Sequence, residues 1–416
     1  MDPVTAILMK TLSVVRGRSS SANGHIVRCD LLLAVVARSC GAKMALSIDC
    51  GVRPGLFTLA ASVELGPDRG RPPRQIRKGH SVSITGSTKR ATVDRPAFEL
   101  FEGYAVSSII ASLEMVGLLD LLEADGIGEE VIVDRMPDAA ALLRASLRFL
   151  AQRGVVEESA AGYALSDYGR EVCRDKGYLV WLVGGYGEPL RRIESFLGGG
   201  KRYGEDYVRD GKWVAGGAAL LGGRDVVPQA KDLLRQTSFN QVLDLGCGNA
   251  RLLISLCQEF DANGVGIDIS PEACADARAA VAAQHVTDRV VITQADAGAL
   301  GEIDALANTD LVVTFFLLHE ILALGKDVLI AYLTEMARIL PGGAHLLIAE
   351  VEPPARESGL PERFTPEFTY VHALMRQVLI PADEWVAVLE TSGFAVRTVQ
   401  RNDMPGGILL LAQTSA

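Results

Sequence analysis

The sequence contains no apolar run near the ~20 residues that a bilayer-spanning helix needs, so no membrane span is expected. It has no basic excess either. Its 41 Lys and Arg are outnumbered by 51 Asp and Glu, for a formal net charge of −10. That argues against a general nucleic-acid binder, which would show a basic face. The seven cysteines have no C-x-x-C spacing, so a zinc ribbon is excluded, and an odd count makes a poor disulfide framework. A reducing, cytoplasmic location fits this usage best, and Cys247 and Cys257 read as small buried residues.

Hydrophobic residues make up 49% of the 416, enough for a sizeable core, and the length suggests two domains plus an extension. The charge is unevenly spread. Residues 1–94 hold 14 Lys and Arg against 6 Asp and Glu, whereas the remainder holds 27 against 45. The first segment is rich in Gly, Ser, Pro and Arg, as in "GPDRGRPPRQIRKGHSVSITGSTKR". Residues 1–95 are therefore expected to be a basic, poorly ordered extension. It is either a targeting arm or an upstream addition without function, and the second reading is preferred. His25 and His80 fall within it and are expected to be solvated.

From Pro96 the apolar residues recur at helical spacing through "AFELFEGYAVSSIIASLEMVGLLDLLEADG", with Gly126 as a stop. A second helix near 138–154 and two short strands around "VVEESAAGYAL" complete a winged-helix-like unit over 96–175. Such units often bind DNA, but this one is acidic overall, and dimerisation with a lid role over substrate is the expected function. Residues 176–225 mix aromatic, glycine and charged residues, and read as a linker lining a substrate site.

From Val226 to the end, short apolar strands alternate with helices: "QVLDLG", "ANGVGIDI", "RVVITQA", "DLVVTFFLL" and "AHLLIAEV". This alternation predicts an α/β doubly wound, mostly parallel sheet. The first strand ends in "VLDLGCGNARLL", where Gly246 and Gly248 permit a tight turn and close approach of a ligand to the backbone. Asp268 ends the next strand, 20 residues after Gly248, where an acid commonly takes ribose hydroxyls. The dinucleotide pattern G-x-G-x-x-G/A fails, because its sixth position is Arg251.

"DLGCGNARLL", "GIDIS" and "QADA" instead resemble, in order and spacing, the motifs of class I S-adenosylmethionine (SAM) methyltransferases, with Ala250 in place of the third glycine. The resemblance implies a Rossmann-like SAM domain over 226–416. Asp244, Gly246 and Gly248 would face the methionine end, Asp268 the ribose, and Asp296 and Ala297 the adenine, with Ile269 and Phe315 also in the cofactor-binding set.

In this fold the fourth strand ends beside the transferred methyl, and here it runs into His319-Glu320. Two functions are open for His319. A phenol substrate needs deprotonation, which an imidazole base could perform. Small-molecule O-methyltransferases carry a histidine at this strand end, although as His-Asp-Trp. Alternatively, His319 and His372, which lies in "RFTPEFTYVHALMRQVLIPADEW", are metal ligands. His345 and His285 fit neither scheme and read as structural or solvated.

Together with "YVRDG" and "YLVWLVGGYGEPL", residues 96–416 resemble the 2-oxo-acid C-methyltransferases, which methylate the carbon β to the carboxylate. By that resemblance His319 and His372 bind a metal, Fe or Zn, and Arg209 engages the oxo acid. Trp181 forms an aromatic pocket wall. Glu320 is an orienting or proton-accepting residue where a relative has aspartate. The best substrate guess is 2-ketoarginine, giving 5-guanidino-3-methyl-2-oxopentanoate. Glu188 or Glu205 would be partners for the guanidinium, and a pocket of Trp181, Tyr186 and Tyr203 could instead take an aromatic acid. A homodimer is expected. The alternatives are an O-methyltransferase and a transcription regulator with a degenerate fold; the intact Asp244, Gly246, Gly248 and Asp268 set counts against the regulator.

Overall fold

The computed structural model describes residues 95–354 and 363–415, together with the backbone of three strands nearer the N-terminus. Those strands, β1 (Val35–Val36), β2 (Lys43–Arg53) and β3 (Leu56–Leu65), pair antiparallel in that order. The rest of the expected basic extension, with His25 and His80, lies outside the described residues. The chain divides into two compact units, Met1–Val93 and Asp94–Ala416, and the second carries everything discussed below.

Its helical part opens with Pro96–Met115 and Leu119–Ala124. The sequence pattern runs unbroken to Gly126, but Gly117 adopts φ 69° and ends the first helix there. The amide of Leu118 folds back onto the Leu113 carbonyl at 2.9 Å, as helix C-termini ending in a left-handed glycine do. Helices Glu129–Arg135 and Ala140–Gln152 follow. The second buries Leu143, Leu147 and Leu150, one stripe at helical spacing. An antiparallel hairpin of β4 (Val156–Ser159) and β5 (Gly162–Leu165) packs beside them. Arg144 and Arg153 of this unit are held by its own acids, Arg144 by Glu129 and Arg153 by Glu102 at 2.9 Å.

The remaining strands are β6 (Gln241–Leu245), β7 (Asn263–Asp268), β8 (Val290–Gln294), β9 (Leu311–Phe315), β10 (His345–Val351), β11 (Phe394–Arg401) and β12 (Gly407–Thr414). They form one sheet in the order β11-β12-β10-β9-β6-β7-β8. The five from β8 to β10 are parallel, and β12 runs antiparallel between β10 and β11. The chain moves outward from β6 to β8, then returns to β9 on the other side of β6. At that reversal the carboxyl ends of β6 and β9 diverge and open a crevice for a ligand.

Alternate residues serve the two faces of the sheet, as the two-residue period requires. Val242, Val313 and Leu347 join one core; Leu243, Val312 and Ile348 join the other. Each such side chain contributes about 1.5–3 kcal/mol when fully buried. The first core continues into Trp181, Tyr186 and Leu221, so the stretch read as a linker is packed onto the sheet.

Candidate active site

Beyond β6, Gly246 and Gly248 take φ 76° and 53°. A Cβ on Gly248 would meet open space, so the left-handed backbone rather than crowding selects glycine there. Ala250 also sits at φ 57°, immediately before helix Arg251–Phe260. An alanine in the third glycine position thus keeps the backbone shape, at a cost of about 1–2 kcal/mol. Asp268 accepts the amides of Gly248 and Ser270, both at 2.9 Å, and so ties the glycine turn to the end of β7. Ser270 in turn caps helix Pro271–Ala283 through the Ala273 amide.

Asp244 is buried, and its carboxylate receives no hydrogen bond among the described residues. Burial, with the neighbouring Asp268 charge, pushes its pKa up to about 7. Such a carboxylate calls for a cation, and the ammonium of the SAM methionine end would answer it. Asp296 follows β8 and is exposed; Ala297 is buried, its carbonyl accepting the Tyr332 hydroxyl at 2.9 Å. Ile269 is exposed beside Asp268.

A cavity of about 150 Å³ opens at the carboxyl end of β9. Arg209, Trp181, Phe315, His319, Glu320 and His372, all named from the sequence, line it with Tyr186, Phe364 and Phe368. His319 is placed by a sharp exit from β9, where Phe316 adopts φ 58° and its amide bonds the Ala349 carbonyl at 2.9 Å. Left-handed backbone at a non-glycine residue costs energy and clusters at functional sites.

The two imidazoles are fixed from behind. Glu350, almost fully buried on β10, accepts from the His319 amide at 3.2 Å and from its Nδ1 at 2.8 Å. His372 Nδ1 lies 2.6 Å from the Phe368 carbonyl. A carbonyl can only accept, so that nitrogen carries the proton and Nε2 presents its lone pair. His319 Nε2 and His372 Nε2 face one another at 3.3 Å, with the rings 80° apart. Facing lone pairs at this distance require a shared proton or cation. Burial would lower the His319 pKa, but the Glu350 carboxylate, helped by Glu320, holds it above the ordinary value. Burial and the adjacent His319 push His372 down to about 3.

Arg209 crosses the cavity mouth. Its Nη2 donates to Glu320 Oε1 at 2.7 Å, and its Nη1 to the Tyr186 hydroxyl at 3.4 Å. The next residue, Asp210, donates its amide to the Gly185 carbonyl and caps helix Gly211–Asp225 through the Lys212 and Trp213 amides. The Arg209 amide donates to the Tyr203 hydroxyl at 3.2 Å. The floor is aromatic: His372 stacks on Phe368 at 4.0 Å, and Phe368 on Trp181 at 5.3 Å.

Three residues given a substrate role from the sequence do not line this cavity: Tyr203, whose hydroxyl accepts the Arg209 amide, and two glutamates. Glu188 pairs with Arg191 and Arg192, and Glu205 with Arg202 at 3.4 Å; both stand outside the lining. Conversely, Glu350 was not anticipated. Its signal was there, since it is the single acid in the buried strand "HLLIAEV".

Residues 237–414 match the family model described as a methyltransferase domain. The indolepyruvate C-methyltransferase of Streptomyces griseus is 29% identical over 281 residues, 66% of this chain and 82% of that protein. The chain is a SAM-dependent methyltransferase. The resemblance to 2-oxo-acid C-methyltransferases is thus found in a curated relative as well as in the motifs. Solved structures similar to this methyltransferase include the mitomycin 7-O-methyltransferase, with a TM-score of 0.52, 16% identity and coverage of 77% of this chain and 97% of that one. Human N-acetylserotonin methyltransferase, solved with SAM, gives a TM-score of 0.54 at 16% identity, covering 78% and 99%. These likenesses establish the class I fold. No helix among the described residues is long and apolar enough to cross a membrane.

Proposed function

We propose that this methyltransferase moves the methyl of SAM to the β-carbon of a small 2-oxo acid whose side chain is apolar or aromatic. One observation carries the reading: two imidazole lone-pair positions and one guanidinium face the same aromatic-lined cavity. The curated relative acts, by its name, on indolepyruvate, a 2-oxo acid of this kind.

The residues fit a metal ion as two of its ligands. The Nε2 atoms of His319 and His372 lie 3.3 Å apart, near enough for one ion to take both, and imidazole would suit iron or zinc. Among the described residues no group of three or more His, Cys, Asp or Glu is arranged to hold a metal, so further ligands would come from substrate oxygens and water. His319 and His372 would hold the ion, Fe or Zn, and when bound it supplies Lewis acidity toward the ketone oxygen. Glu350 fixes the His319 tautomer and ring, as a carboxylate behind a metal-binding histidine does.

Arg209 binds the substrate carboxylate, for which Glu320 now stands in. Glu320, released from that pairing, accepts the proton leaving the β-carbon. The electron pair left on carbon bonds the methyl as the methyl–sulfur bond breaks, giving the C-methylated oxo acid and S-adenosylhomocysteine. The aromatic floor excludes water and aligns the carbon with the methyl.

2-Ketoarginine is not carried forward. Among the described residues Glu320 is the one carboxylate that lines the cavity, its proposed role is at the reacting carbon, and the other walls are mainly apolar. Self-association through helix Pro96–Met115 belongs to the same reading, because Phe98, Leu100, Phe101 and Tyr104 are exposed on its first three turns.

The competing reading is an O-methyltransferase with His319 as base, favoured by the His319–Glu350 pair. Metal analysis of the purified protein, with mass spectrometry of products from a 2-oxo-acid panel, separates the two. Stripping with a chelator is expected to abolish C-methylation and iron or zinc to restore it; full activity in metal-free protein would overturn the metal-assisted reading.

A further inference from the structure

Tyr186 lines the cavity of the two histidines yet is only 1% exposed. It follows a π-helical turn, Val180–Gly185, of a kind often found at functional sites. The wall beside it is rigid. A Cβ on Gly217 of helix Gly211–Asp225 would fall 2.6 Å from the Trp181 Cα, so only glycine lets that helix lie against the turn. The Tyr186 ring packs on Trp181 with centroids 4.8 Å apart. Backbone also sets its relation to Arg209. The carbonyl of Gly185, just before the tyrosine, accepts the amide of Asp210, just after the arginine, at 2.8 Å.

The hydroxyl of Tyr186 is poorly satisfied. It accepts one bond from Arg209 Nη1 at 3.4 Å, longer than the roughly 2.9–3.0 Å usual for such bonds. Among the described residues nothing accepts its own proton. Burial outweighs the pull of Arg209 and holds the phenol above its ordinary pKa, so the oxygen keeps that proton at neutral pH. A buried donor without an acceptor is costly, and a ligand oxygen would relieve it. A bound carboxylate has the complementary need. Its two oxygens accept about four hydrogen bonds, and one guanidinium edge supplies about two. Resting on the 2-oxo-acid reading above, we infer that the Tyr186 hydroxyl donates to the substrate carboxylate beside Arg209, and so helps select the anionic head of the acid. Nothing in the motif pattern marks this residue, because its role comes from the π-turn that carries it to Arg209.

Tyr186→Phe removes the hydroxyl and keeps the ring. The test compares this variant with the unmodified full-length enzyme, both loaded with metal. It measures methylation of 4-methyl-2-oxopentanoate and phenylpyruvate, calorimetric binding of each acid and of SAM, and the melting temperature without ligand. KM and Kd for the acids should rise by about 10-fold or more, as when a hydrogen bond to a charged group is lost. The kcat and the SAM affinity should stay within about two-fold, the pattern of an interaction made equally in the ground and transition states. The melting temperature should hold or rise, because the variant loses an unsatisfied donor rather than a structural bond. Unchanged KM and Kd, an equal loss of SAM affinity or a marked fall in melting temperature overturns the assignment and leaves the C-methyltransferase reading standing. A loss confined to kcat overturns it too, since the hydroxyl would then act at the reacting carbon. If the unmodified enzyme adds no methyl at the β-carbon of either acid, both fall.

Discussion

His319 and His372 bring their Nε2 atoms to 3.3 Å although 53 residues separate them in the chain. One rides the exit of β9, the other helix Thr365–Leu374. Each is held by its Nδ1, so neither ring needs to reorganise to share a cation.

Replacing either His319 or His372 with alanine should abolish turnover while leaving SAM affinity within a few-fold of the parent. The glycine turn and Asp268 that would serve the cofactor follow β6 and β7, whereas the rings are carried after β9 and on helix Thr365–Leu374. Calorimetric titration of SAM into each variant, beside a single-turnover assay, checks this. Lost SAM affinity would reassign the histidines to cofactor binding.

Glu350→Gln keeps the shape behind His319 but removes the charge. Carboxylates in this position typically contribute 10–100-fold to metal affinity or activity, and a drop of that size in kcat is expected with little change in KM. Metal content per protomer, measured in parallel, should fall. A variant with normal metal content and normal kcat would reduce Glu350 to a packing residue.

Asp244 makes stability depend on pH in an unusual direction. The unfolded chain releases this proton near the ordinary 3.8, the folded one near 7. Between those values the folded state holds more protons, so this residue's contribution declines as pH rises from about 4 to about 7. Asp244→Asn should remove that decline and raise cofactor-free stability at pH 8 by about 1–4 kcal/mol, since each tenfold change in a proton's affinity is worth roughly 1.4 kcal/mol. The same change should weaken SAM binding, since the buried carboxylate is the partner proposed for its ammonium. Urea unfolding at pH 5 and pH 8 measures the first effect; an equal dependence on pH in parent and variant would refute it.

Arg209→Lys replaces a planar, two-point donor with a single ammonium. KM for the oxo acid should rise by about 10-fold or more, with SAM affinity unchanged. Steady-state kinetics decide it, and an unaltered KM would remove Arg209 from carboxylate recognition.

The motif at the end of β6 could be read from the chain because its chemistry is local. Gly246 and Gly248 need left-handed backbone, Asp268 sits one strand away at a fixed spacing, and both features follow from short-range steric rules. The five parallel strands were equally plain, since each is a short apolar run followed by a helix. The β11–β12 hairpin was not, because antiparallel closure of a sheet edge leaves no helix between strands to mark it.

At the cavity, the sequence supplied the reactive residue types, His319, His372, Arg209 and Glu320. Only the folded chain decided that Glu350 stands behind one imidazole and the Phe368 carbonyl behind the other, and that Trp181 is wedged by Gly217. Those contacts join segments tens of residues apart. They arise from how strands, helices and a π-turn pack, and close packing acts between neighbours in space, which a linear pattern does not record.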